Sequence, residues 1–185
     1  MPSPRRVDYF RRMSRGRSVL KLFVGASLLM LAVPAVIAPA PASAADEKIR
    51  VLSETPQSNV ADIPAAVRNE CRQIGRELPN AIVRENRNVV LVKTPKELTA
   101  RRGKYLSIEI TQVRAKGGGV ITGPKHLVVR GVLFENGKEV ADFEGERASM
   151  GAASTCAALD KAEKALGTDI ARWLERPHAH DRLGG

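Results

Sequence analysis

From Tyr105 to Val113 apolar and polar residues alternate, with Leu106, Ile108 and Ile110 on one side and Ser107, Glu109 and Thr111 on the other. A period of two is the mark of a strand with one buried face. The pattern breaks at Lys116-Gly-Gly-Gly119 and again at Thr122-Gly-Pro124. Three successive glycines predict a long connection, not a tight two-residue turn. Apolar residues resume from His126 to Phe134, rich in Val and Leu, with Gly131 as a candidate bulge. Asn136-Gly137 then gives a strong hairpin signal, because both residues accept positive φ. Residues 139–147 complete a three-stranded meander. Their charges predict an edge strand that discourages further pairing.

Two helices flank this block. Val67, Cys71, Ile74 and Leu78 fall on one helical stripe, which predicts a helix over 64–78 with Asp62 as its cap and Pro79-Asn80 as its stop. Cys156, Leu159, Ala162, Leu166, Ile170 and Trp173 keep the same spacing, which predicts a second helix over 155–174 capped by Ser154 or Thr155. Pro177 ends it, and 178–185 read as a disordered tail. Residues 48–52 predict a short first strand. Residues 81–83 read as strand material, and Val89 to Val92 as a central strand buried on both faces. Thr94 is placed to cap one helical turn. No repeat is present. The expected fold is an α+β two-layer sandwich, a mostly antiparallel sheet of about four strands with two helices on one face.

The amino terminus changes the charge picture. Arg5, Arg6, Arg11, Arg12, Arg15, Arg17 and Lys21 precede an apolar run from Leu22 to Val33, and Ala38-Pro-Ala-Pro-Ala-Ser-Ala44 follows. That order is the pattern of a secretory signal peptide, with cleavage expected after Ala44 and a periplasmic destination. The run falls short of the ~20 residues that span a bilayer, so no transmembrane segment is expected after processing. The 185-residue chain carries net +10. The leader holds seven basic residues and one Asp, so the remaining 141 residues keep 23 basic and 19 acidic, net +4. That is an ordinary solubility charge, and no nucleic acid is expected as a partner. A chain of that length suits one domain, 45–177, and its single Trp and few other aromatics predict an aliphatic core.

Cys71 and Cys156 are the only cysteines. An even count in an exported chain predicts a disulfide, here a staple between the two helices. A closed loop of that size is worth roughly 4 kcal/mol in the chain-entropy model.

No constellation of catalytic residues stands out. His126 is the one histidine inside the predicted fold. His178-Ala-His180-Asp181 has ligand-type residues but no third ligand elsewhere, so no metal site and no cofactor are expected. Glu144 and Glu146 share one face of an exposed strand. Lys116-Gly-Gly-Gly119 lacks the Gly-Lys-Ser/Thr ending of a phosphate loop. Arg101, Arg102, Lys104, Arg114, Lys116 and Lys125 are expected to gather at one end of the meander, a candidate surface for an envelope protein or an anionic envelope component.

Gly123-Pro-Lys-His126, the strands around Asn136-Gly137 and the alanine-rich helix resemble the later part of a double-stranded RNA-binding domain. That resemblance implies duplex RNA as a ligand. The phosphate-holding lysine cluster of that family is replaced here by Ala152-Ala-Ser-Thr-Cys156. In general plan the chain is similar to small α/β modules of the Gram-negative envelope, which bind other envelope components and are not enzymes. It also resembles exported bacterial proteins with a Thr-Cys helix start and a Trp-Leu close, here Thr155-Cys156 and Trp173-Leu174. The resulting expectation is a soluble periplasmic interaction module acting through 139–147 or the loop 116–124. A hydrolase-like enzyme is the alternative. Oligomeric state is not set by the sequence.

Overall fold

The computed structural model describes residues 48–99, 102–115 and 123–184. The proposed leader 1–44, Arg101 and Lys116 lie outside the described residues. The order is β1 (Ile49–Leu52), β2 (Gln57–Asp62), α1 (Ala65–Glu70), α2 (Glu77–Glu85), β3 (Val89–Val92), α3 (Pro95–Thr99), β4 (Lys104–Arg114), β5 (Lys125–Glu135), β6 (Lys138–Ser149), α4 (Thr155–Trp173) and β7 (Asp181–Leu183).

The strands form one mixed sheet in the order β3-β1-β4-β5-β6-β7, with β2 also lying against β4. The meander β4-β5-β6 is antiparallel. By contrast β1 runs parallel to both β3 and β4, β2 parallel to β4, and β7 parallel to β6. The expected four-stranded, mostly antiparallel sheet with two helices is therefore corrected, among the described residues, to a mixed sheet of seven strands with four helices. The additions are short, and parallel neighbours need crossover connections that leave no hairpin signal in the sequence.

The first predicted helix is two. Gly75, at φ +96°, breaks 64–78, and the Thr55 carbonyl oxygen would sit 2.4 Å from any Cβ placed there. Thr55 N–H also donates to the Gly75 carbonyl at 2.7 Å. Pro79 is not a stop. It lies in the first turn of α2, where its missing N–H costs nothing, and 81–83, expected as strand, are helical. Asp62 ends β2, and the α1 cap is Pro64 without a side-chain bond. Val89–Val92 is an end strand paired only with β1, not a central one. Gly131 is in register with Phe143, while the irregularities fall at Ile110/Gln112 and Leu133/Phe134. The glycine is required by packing, since a Cβ there would lie 2.3 Å from the Phe143 ring.

Other sequence expectations stand: β1 forms, α4 is capped by Ser154, whose Oγ accepts from Ala157 N–H (3.1 Å), and Asn136 and Gly137 turn with φ of 53° and 78°. Helices α1, α2 and α4 pack against one face of the sheet over an aliphatic core. Phe143 and Trp173 meet edge-on within it, with ring centroids 4.7 Å apart. Cys71 and Cys156 are joined, Cα atoms 5.3 Å apart, across 85 positions. The bond ties the end of α1 to the start of α4.

Residues 181–183, expected to lie in a disordered tail, form a strand. Trp173 Nε1 donates to Asp181 Oδ2 (2.9 Å) and His180 N–H to Asp142 Oδ1 (2.8 Å). These bonds seat β7 against Phe143 to Gly145. Residues 139–147 are therefore not a bare edge in their middle.

Candidate functional site

Alternation along β4, β5 and β6 decides what the sheet offers. Leu106, Ile108, Ile110, Leu127, Val129, Leu133, Ala141 and Phe143 turn inward and are buried. Their neighbours face the opposite side, and the helices α1, α2 and α4 all pack against the inward face. The outward face from β4 to β7 is the candidate site. Three features occupy it, from one end of the strands to the other.

At the Asn136 end, Tyr105 and Phe134 stack at 4.7 Å with planes 12° apart. Across the middle, pairing brings Glu109 beside Arg130, Arg130 beside Glu144 and Glu144 beside Arg182. Their charges alternate over four strands. Asp142 lies next to this row, and its carboxyl is held below its usual value, first by the His180 backbone N–H and also by the His180 ring and Arg130. Arg130, Asp142, Glu144, His180 and Arg182 line a recess of about 330 Å³. At the far end His126 Nδ1 lies 2.7 Å from Glu146 Oε1, and the Arg114 guanidinium bonds the same oxygen. The His126 bond is the largest influence keeping the Glu146 carboxyl below its usual value, with Arg114 adding to it. A second recess, of about 370 Å³, is lined by His126, Glu146, Arg147, Ala148 and Gly184. A histidine held by a carboxylate is the pairing used in general acid–base chemistry. None of the described lining residues carries a hydroxyl or thiol to act as its nucleophile. Among the described residues no group of three His, Cys, Asp or Glu could hold a metal.

Among the described residues the expected basic cluster does not form. Lys104 opens β4 and Arg114 closes it, so the two lie roughly 33 Å apart at about 3.3 Å per residue. Arg102 is exposed beside the Lys104 end, and Lys104 faces Glu135 at 3.6 Å. Lys125 lies at the other end, next to His126, and is buried. It presents no cation to a partner's surface. Arg101 and Lys116 fall outside the described residues. The sequence reading missed the middle row, although all of its members except Arg182 lie in strands it predicted.

The helical side holds one more group that the sequence did not mark. Glu163 of α4 is fully buried, and its carboxylate accepts from the backbone N–H groups of Gly75 (2.8 Å), Glu77 (2.9 Å) and Leu78 (3.2 Å). It caps α2 from a neighbouring helix. Burial pushes its carboxyl up to about 7 against the pull of those three donors, with Asp160 adding a further push.

No family model matches this chain, and no curated protein is similar to it. Among solved structures it is similar to the PelC dodecamer of Paraburkholderia phytofirmans, at 18% identity, over 67% of this chain and 84% of that one, with a TM-score of 0.43. A singly substituted form of that protein in another crystal form gives 18% identity over 72% and 92%, with a TM-score of 0.42. A DUF330 protein of Xanthomonas campestris gives 16% identity over 69% and 79%, with a TM-score of 0.36. Likenesses at these scores carry no argument about what this chain does. No helix among the described residues is long and apolar enough to cross a membrane.

Proposed function

We propose that this chain is an exported interaction module of the bacterial envelope that works in the periplasm without catalysing a reaction. The observation that carries the reading is the outward face of β4 to β7, which α1, α2 and α4 leave bare and which presents charged, aromatic and apolar side chains. A sheet with one face covered is complete as a fold, so a second face of this composition is available to a partner. Export is supported by the basic, apolar and Ala-x-Ala order of residues 1–44, and by a cysteine pair of the kind that persists in oxidising compartments. The partner surface expected on 139–147 moves from the strand's edge to its outward face, because β7 occupies the middle of that edge.

Photo-crosslinking in cells tests the reading. A photoreactive residue is placed at Val132, on the outward face, or at Arg172, exposed on α4. The protein recovered by osmotic shock should begin at Ala45, with covalent adducts at 132 and none at 172. Adducts confined to 172, or a protein retained in the cytoplasm, would refute it.

A further inference from the structure

The middle row on the outward face has an unusual property. Glu109, Arg130, Glu144 and Arg182 are cross-strand neighbours of alternating sign. Yet among the described residues none of the four joins an ion pair. Arg130 acts on Asp142 only through its field. The other carboxylates near the middle of the face are already committed, Asp142 to His180 and Glu146 to Arg114 and His126. In the middle of the face the uncommitted charge thus lies in this one row.

That row is its own complement. Read from β4 to β7 it runs minus, plus, minus, plus. Turned over about an axis parallel to the strands and passing between β5 and β6, it runs plus, minus, plus, minus at the same level. Arg130 then faces Glu144 of a second copy, Glu144 faces its Arg130, and the outer Glu109 and Arg182 face each other's counterparts. Packed sheets cross at about 30° because each is twisted, so contact is closest at the two central positions. The strands β4 to β6 are 11, 11 and 12 residues long. With β7 beside them, at about 3.3 Å per residue and ~4.8 Å between strands, the face offers roughly 600 Å² per copy. A pair would bury on the order of 1,200 Å², the lower end of specific interfaces.

We infer that the outward face binds a second copy of this chain, in a two-fold pair matched by the Glu109, Arg130, Glu144 and Arg182 row. This rests on the interaction-module reading and names its partner. Charge matching of this kind fixes orientation and makes association depend on salt.

The test measures mass in solution for wild type, Arg130→Glu, Glu144→Arg and the Arg130→Glu/Glu144→Arg double variant of the mature protein. Wild type should be a dimer that weakens about tenfold on going from low to high salt. Each single variant sets like charges face to face and should be monomeric. An equimolar mixture of the two single variants restores every opposite pair and should dimerise, as should the double variant. The mixture also shows that the single variants are folded. A monomeric wild type, single variants that still dimerise, or a mixture that stays monomeric would each overturn the inference. A monomeric wild type that still crosslinks to another envelope component through position 132 would overturn the inference alone and leave the interaction-module reading intact.

Discussion

Replacing Glu163 by Gln should remove a specific part of the protein's pH dependence. The carboxyl moves from an ordinary 4.5 in the unfolded chain to about 7 in the fold, chiefly because it is fully buried. A raised folded value means the folded state holds the proton more tightly. The associated stability is fully present below about 4.5 and is lost as pH rises through 7. At 1.36 kcal/mol per unit the difference is about 3 kcal/mol. For a domain of this size it corresponds to a fall in Tm of about 10 °C between pH 4.5 and 8. The carboxyls of Asp142 and Glu146 are shifted the other way. Their stabilisation is present above the unfolded values near 4 and is lost only on acidification below that window, so they do not mask the effect. Asp160, raised by burial and by Glu77, acts in the same direction as Glu163. Glutamine cannot ionise, so Glu163→Gln should flatten the slope across this window. It should also lose stability at every pH, because its NH₂ must face one of three N–H donors and leave it unpaired, at about 1–3 kcal/mol. Thermal melts of both proteins from pH 4.5 to 8 make the comparison. A variant with the wild-type slope would refute the reasoning.

Reducing the bond between Cys71 and Cys156, or replacing both by Ser, should lower stability by about 4 kcal/mol in denaturant titrations, with little change in the far-UV circular dichroism of what remains folded. Gly167→Ala should destabilise although alanine is the better helix former. The added Cβ meets the Leu78 carbonyl oxygen and Ala81 Cβ at 2.6 Å, so α2 and α4 must separate, which a lower Tm would report. Asp142→Asn should loosen β7, read as faster amide exchange at residues 181–183 with the meander unchanged.

What the sequence made legible, and what it did not, follows from the range of the interactions. α4 carries its own cap and a regular apolar stripe, and the hairpin turn carries its two positive-φ residues, so local signals sufficed for both. The break between α1 and α2 was hidden because it is imposed by Thr55, twenty positions away from Gly75 in the chain. β7 was hidden for the same reason. Three residues with no strand pattern are held by Asp142 and by Trp173. The outward row failed through register. Counting back from the Asn136 turn places Arg130 opposite Phe143, but the irregularity at Leu133/Phe134 inserts Val140 and moves Glu144 into that place. Val140 is 47% exposed as a result. One extra residue exchanges the faces of every position beyond it, so no pattern of charges read along the chain could show which ones meet. The basic cluster failed more simply, since residues close in sequence across β4 lie at opposite ends of an eleven-residue strand.

The claim that a partner covers the outward face is tested most directly by hydroxyl-radical footprinting of the mature protein in periplasmic extract and, separately, dilute and purified. Tyr105 and Phe134 report on that face, and Met150, 69% exposed at the end of β6, serves as the internal reference. The account predicts that both aromatics are oxidised several-fold more slowly in the extract while Met150 is unchanged. Equal rates at Tyr105 and Phe134 in the two samples would contradict it.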